Sequence, residues 1–123
     1  MESRAKTKRG DMSDPRTYVF ITTSFEGFHC WPDAPDEVAF LRDRHRHIFH
    51  VRLEAEVGHD DRDIEFILLK RAVDEEIKRV LSSNDPKRRS WSCESWARHL
   101  LEEFDATFVE VSEDGENGAI IKY

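Results

Sequence analysis

Two histidines two residues apart, His45 and His47 in the stretch DRHRHIFHV (43–51), have the spacing in this chain best suited to chemistry. On a β-strand successive side chains point to opposite faces, so residues i and i+2 share one. Both imidazoles then project the same way, and two parallel imidazoles are half of a metal site that needs a third ligand. The competing reading is a solvated strand face that carries histidines by chance, because a short His pattern acquires meaning only from its context.

That context is the set of elements that must position the pair. HRHIFHVRLEAEV (45–57) alternates, with Phe49, Val51, Leu53, Ala55 and Val57 on one face and Ile48, His50 and Arg52 on the other. His45 and His47 share the parity of the apolar face, whereas His50 is expected to look away. TYVFITTSF (17–25) is β-branched and aromatic and predicts an earlier strand. The segment after it, through Asp43, holds a glycine, two prolines and several acidic residues, and reads as a long loop with room for one turn of helix. Residues 64–81 place Ile64, Leu68, Ala72 with Val73, Ile77, and Val80 with Leu81 at helical spacing. SSNDPKRR breaks that helix, with Pro86 as the stop. A second helix follows, with Ser92 as N-cap, Ser95 as its rival, and Trp96, Leu100 and Phe104 as the apolar stripe. ATFVEVSED alternates as a strand, GENG turns, and AIIKY closes as a final strand. The order is ββααββ, an α+β chain with an antiparallel sheet packed on two helices.

Composition narrows the classes of function. One domain is expected over residues 17–123, after a basic arm (1–16) expected to be disordered. Hydrophobic residues make up 38% and charged residues 37%, so a lone protomer is expected to need partners to complete its core. A net charge of −7 argues against coating nucleic acid. The alternative rests on the KRR run (87–89) beside Trp91, since aromatics next to cations can stack on bases. Three cations between helices of an acidic chain ordinarily form a solvated loop. No apolar run approaches the ~18 residues that span a bilayer, and no signal-like segment follows the N-terminus, so the expected compartment is the cytoplasm. Cys30 and Cys93 are too few for a disulfide framework.

Five segments, in order, resemble the 6-pyruvoyl-tetrahydropterin synthase and 6-carboxytetrahydropterin synthase family of the tunnelling fold. FEGFH (25–29) is similar to that family's Phe-x-Ala-Ala-His, and HRHIF (45–49) to its His-Gly-His-Asn-Tyr. IEFILLK (64–70) resembles Asp-Phe-x-x-Leu-Lys, SCESWA (92–97) resembles Thr-x-Glu-Asn-x-Ala, and VEVSED (109–114) resembles the strand that ends in a pterin-binding glutamate. The resemblance implies that His29, His45 and His47 ligate Zn²⁺, with a fourth position open to water or substrate. It implies that Glu113 accepts hydrogen bonds from the pyrimidine edge of a pterin or purine-like substrate, with Ser92 lining the pocket. It further implies a homo-oligomer, commonly a hexamer, whose subunit sheets join into a barrel. Without it, His29 is a loop histidine beside Trp31, Glu113 a solvated acid before a turn, and Ser92 a helix cap.

The chain departs from the family where protons move. The family's cysteine, four residues before the first histidine of the pair, is replaced by Leu41, and the glycine between the two histidines by Arg46. The family's Leu-Asp-His segment has no counterpart in SSNDPKRRSW. Cys30, Asp43, His50 and Asp85 remain as titrating groups, none of which matches the family's base. Two readings follow: a divergent zinc-dependent lyase with an altered proton relay, or a non-catalytic protein that binds zinc and a ligand.

Overall fold

Alternation of side chains builds the sheet. In the computed structural model, which describes residues 14–123, β1 (Thr17–His29) and β2 (His45–Val57) are antiparallel strands of 13 residues each. They pair along their whole length, from Thr17 opposite Val57 to His29 opposite His45. β3 (Phe108–Glu113) pairs with the other side of β2, and β4 (Asn117–Lys122) with β3. The product is an open, four-stranded antiparallel sheet in the order β1-β2-β3-β4. Between β2 and β3 the chain forms α1 (Phe66–Leu81), α2 (Pro86–Arg89) and α3 (Cys93–Glu103), one short helix more than the expected pair.

Odd-numbered strand residues face the helices. Ile21, Phe49, Val51, Leu53, Val109 and Val111 are buried against Val73, Ile77 and Val80 of α1 and Trp96, Ala97, Leu100 and Leu101 of α3. α1 lies over β1, and α3 over β3 and β4. Removal of this apolar area from water is the main force holding the layers together.

Several local expectations need correction. β1 does not stop at Phe25 but continues to His29, because the ladder to β2 persists through Gly27 opposite His47. The intervening loop therefore begins at Cys30, and it contains a 3-10 helix at Asp36–Arg42. In α1 the buried stripe is Val73, Glu76, Ile77 and Val80, with Leu69 packed on it. Leu68 and Ala72 face solvent instead. The run Ile67-Leu68-Leu69 offers three apolar phases, and packing selects the one four residues before Val73. Pro86 does not end α1, which finishes at Leu81; it opens α2, where its missing N–H costs nothing and Asp85 caps the turn. Ser92, not Ser95, caps α3, its Oγ accepting the Ser95 N–H at 3.1 Å. Phe104 lies at the C-cap, and Cys93, Ala97 and Leu101 widen the stripe. β4 begins at Asn117, so the last hairpin turns through Asp114–Glu116 rather than GENG. Most of the basic arm (residues 1–13) lies outside the described residues; Arg16 pairs with Glu56 at 3.0 Å.

α1 and α3 are also joined by a polar clamp. Glu76, only 8% exposed, takes Arg79 through both carboxylate oxygens and receives His99 from α3. The Arg79 hydrogen bonds lower the Glu76 pKa from 4.5 to about 2, against burial, which raises it. A carboxyl with a lowered folded-state pKa stabilises the fold above its unfolded value and loses that contribution as pH falls. Between pH 4.5 and about 2, wild type should therefore lose on the order of 2 kcal/mol more stability than Glu76→Gln, measured by urea unfolding. Parallel losses in both proteins would show that the clamp carries no stability.

Candidate metal centre

At one end of the buried sheet face the aliphatic side chains give way to histidines. His29 of β1, His45 and His47 of β2 and Glu113 of β3 all have the inward parity. The register sets His29 opposite His45, and Glu113 opposite Phe49. Gly27, opposite His47, leaves space on this face for the Phe49 ring, since a Cβ there would lie 2.8 Å from it. Phe49, 2% exposed, floors the cluster, with its ring centroid 5.4 Å from His29 and 6.1 Å from His47. The strand ladder thus brings together the three histidines singled out in the sequence, including His29, which lies on β1 rather than in a loop.

Each imidazole directs one nitrogen outward from the cluster. The Nδ1–H of His29 donates to the Trp91 carbonyl at 3.3 Å, and that of His45 to the Asp43 carbonyl at 2.8 Å. The Nδ1–H of His47 donates to Asp114 Oδ2 at 2.7 Å. Carbonyls and carboxylates only accept, so each ring carries a proton on Nδ1, and in the neutral imidazole Nε2 is then the lone-pair atom. One ligating atom from each ring lies within 4.8 Å of the other two. Nε2 of His45 and Nε2 of His47 are buried without a hydrogen-bond partner. Buried acceptors left unsatisfied are costly, and a single cation beside them would satisfy both. Burial also pushes the His29 imidazole below its ordinary pKa, which favours the neutral form that a metal ligand requires. The donor set therefore fits a divalent metal.

Two carboxylates flank the histidines. Glu113 Oε2 lies 3.1 Å from His29 Nε2, and its Oε1 lies 3.6 Å from His47 Nε2. Asp114 follows in the left-handed region, with φ of 57°, and Gly115 continues the turn at 74°. That turn swings the Asp114 carboxylate back over β2, where Oδ1 accepts the Ile48 N–H at 2.9 Å and Oδ2 accepts from His47. The His47 contact, then the Ile48 amide, hold the Asp114 carboxyl below its usual range. A carboxylate that orients a ligating histidine is the usual outer shell of such sites. In the sequence Asp114 reads only as an acidic neighbour of Glu113. From the sequence the turn reads one residue later, at GENG, and the direction of the Asp114 side chain follows from a left-handed backbone that no periodicity signals.

A cavity of about 530 Å³ opens beside the cluster, lined by His29, His45, Glu113, Ser92, Leu41 and Cys93 among others. Burial, reinforced by the negative charges of Glu113 and Glu94, pushes the Cys93 thiol up to about 12, so it stays protonated and is a poor nucleophile. Of the four titrating groups considered from the sequence, only Cys30 lines this cavity. Asp43 contributes its backbone carbonyl to His45, Asp85 caps α2, and His50 is exposed on the opposite sheet face. Arg46 also faces away and pairs with Glu26.

A second group, Glu76, His99 and Glu103, also has ligand-like spacing. Arg79 already binds both oxygens of Glu76, which makes this group a helix clamp. Trp91, beside the KRR run, is partly buried against the core, 5.1 Å from the Trp96 ring and 4.9 Å from the His99 ring, with the Arg88 guanidinium 5.6 Å from its own ring. Among the described residues no helix is long and apolar enough to cross a membrane. No protein-family model and no curated protein matches the sequence.

If Asp114 fixes the His47 ring, Asp114→Asn should weaken binding of a divalent ion about 10- to 100-fold in a chelator competition, with the circular dichroism spectrum retained. Unchanged affinity would mean that the strand alone orients His47.

Proposed function

We propose that this chain is a divergent zinc-dependent enzyme of the 6-pyruvoyl- and 6-carboxytetrahydropterin synthase type. Its substrate would be a compound like dihydroneopterin triphosphate or another purine-derived molecule. The observation that carries the reading is the convergence of three imidazoles beside the cavity, with Nε2 of His45 and of His47 buried and unpartnered. Three imidazoles with room for another donor are the ligand set of a catalytic zinc site. Zinc held by His29, His45 and His47 would supply Lewis-acid polarisation of a substrate oxygen. The remaining roles fall to the chain's own groups. The Glu113 carboxylate offers two acceptors to adjacent N–H groups on a pyrimidine edge, and Ser92 contributes to the wall. The cavity volume lies within the range of small-molecule sites.

The proton relay is where the chain departs from the family it resembles. Leu41, at the position that matches the family's cysteine, lines the cavity and carries no titrating group. These features support the second reading, a zinc- and ligand-binding protein of the same fold without turnover. A pterin titrated into zinc-supplied protein should bind to wild type and not to Glu113→Gln, whose amide offers one acceptor where two are needed. Turnover of dihydroneopterin triphosphate should be slower than a family enzyme's by ~10² to 10⁴, the usual effect of one missing acid–base group. Equal pterin binding by both proteins would remove Glu113 from the substrate site. His45→Ala with His47→Ala should abolish stoichiometric zinc, since one imidazole cannot hold the ion; full occupancy in that double variant would sink the reading.

Assembly belongs to the same proposal. The sheet is open, and β1 leaves an edge of 13 residues without Pro or Lys. Phe20, Phe66 and Ile67 are exposed nearby, each more than half accessible. An unpaired edge of this kind invites pairing with another chain. Joining of subunit sheets into a tunnelling-fold barrel would cover it, with a homo-hexamer as the expected form. Light scattering at micromolar concentration should give the mass of the hexamer, and a monomeric mass would refute the assembly.

A further inference from the structure

We infer that Glu113 closes the resting metal centre as its fourth ligand, and that an incoming small molecule binds by displacing it. The inference rests on the metal reading above and changes the state of the fourth position from open to occupied. A tetrahedral shell with bonds of ~2.0 to 2.1 Å has ligand-to-ligand edges of about 3.3 Å. The Glu113 oxygens lie 3.1 Å from His29 Nε2 and 3.6 Å from His47 Nε2, on either side of that value. In neutral rings these are acceptor atoms facing acceptor atoms, since Trp91, Asp43 and Asp114 hold a proton on each Nδ1. Lone pairs at such distances repel unless a proton or a cation lies among them. A proton on His29 would answer Glu113 alone and would leave Nε2 of His45 and of His47 buried and unpaired. A cation answers all four groups together.

The backbone supports a built ligand in preference to a chance approach. Glu113 is the last residue of β3, inward-facing, in register with Phe49 beneath the cluster. The next residue is anchored twice to β2, by the Asp114 N–H donating to the Ile48 carbonyl at 2.7 Å and by the Asp114 carboxylate accepting the Ile48 N–H. Glu113 lines the cavity beside His29 and His45, so its carboxylate and an entering molecule would compete for the same space next to the histidines. One carboxylate then serves two partners in turn. It ligates at rest, and once displaced it is free to accept hydrogen bonds from the molecule that displaced it. Displacement breaks one metal–oxygen bond, the carboxylate keeping its electron pair, and the incoming donor supplies the pair for the new bond.

The test uses the full chain loaded with Co²⁺, whose visible spectrum reports coordination, and azide as a small anionic probe. In wild type, azide should leave the spectrum unchanged at concentrations that shift the band of Glu113→Ala. The alanine variant should bind Co²⁺ at least ~10-fold more weakly, the loss that even an outer-shell partner causes. Glu102→Gln, exposed on α3 and outside the cavity lining, should behave as wild type. Glu113→Gln, nearly isosteric, should lie between wild type and the alanine variant, and it carries the comparison if the alanine variant does not fold. Equal Co²⁺ affinity and equal azide response in wild type and the Glu113 variants would overturn the inference and leave the three-histidine site standing. Failure of wild type to retain stoichiometric Co²⁺ or Zn²⁺ would overturn the metal reading itself.

Discussion

The antiparallel ladder between β1 and β2 runs for 13 residue pairs without a bulge, and the geometry of the candidate site depends on it. A strand has a side-chain period of two, so a slip of one residue would move every inward side chain to the other face. Here that slip would expose Ile21, Val51 and Leu53 together with His29, His45 and His47. The same apolar burial that stabilises the middle of the sheet therefore fixes the phase of the histidines at its end. Gly27 is part of this arrangement, because the Phe49 ring occupies the space that a side chain there would take.

Stability and chemistry pull against each other at that end of the sheet. A core built for stability alone would continue the pattern of Val51 and Leu53 outward, and would leave no acceptor unsatisfied. Instead three imidazoles are held in one tautomer by three separate acceptors drawn from the chain before β2, the chain before α3 and the β3–β4 turn. Such pre-organisation is what a metal ligand set requires. Two of the Nε2 atoms are left without partners. The left-handed Asp114 adds backbone strain of the kind that persists where surrounding contacts over-determine it.

The features legible in the sequence were those carried by a period. β2 spans the residues its alternation predicts, 45–57, and the parity of His45 and His47 follows from the same count. The ββααββ order was likewise readable, apart from the four-residue α2. Features set by tertiary packing were not. The phase of α1 was ambiguous among consecutive apolar residues, and the sheet settled it. Glu76 reads as a surface acid until Arg79 and His99 are seen around it. His29 looked like a loop residue because glycine and the downstream prolines signal a break, whereas pairing with β2 extends the strand past the glycine. The role of Asp114 depends on a sign of φ that no periodicity carries.

Charge in the cavity bears on what can enter it. Its lining includes Glu113 and Glu94 and, among the described residues, neither Lys nor Arg. Arg46, the cation nearest in sequence to the two histidines, faces the other side of the sheet and is occupied by Glu26. A phosphate chain placed against this wall would meet acceptors and negative charge, which is unfavourable where water is partly excluded. A planar heterocycle presenting N–H donors would meet complementary groups instead, in Glu113 and the hydroxyl of Ser92. Within one protomer the wall thus discriminates by hydrogen-bond polarity. A ligand that presents N–H donors would find acceptors on this wall, whereas an anionic group would meet like charge.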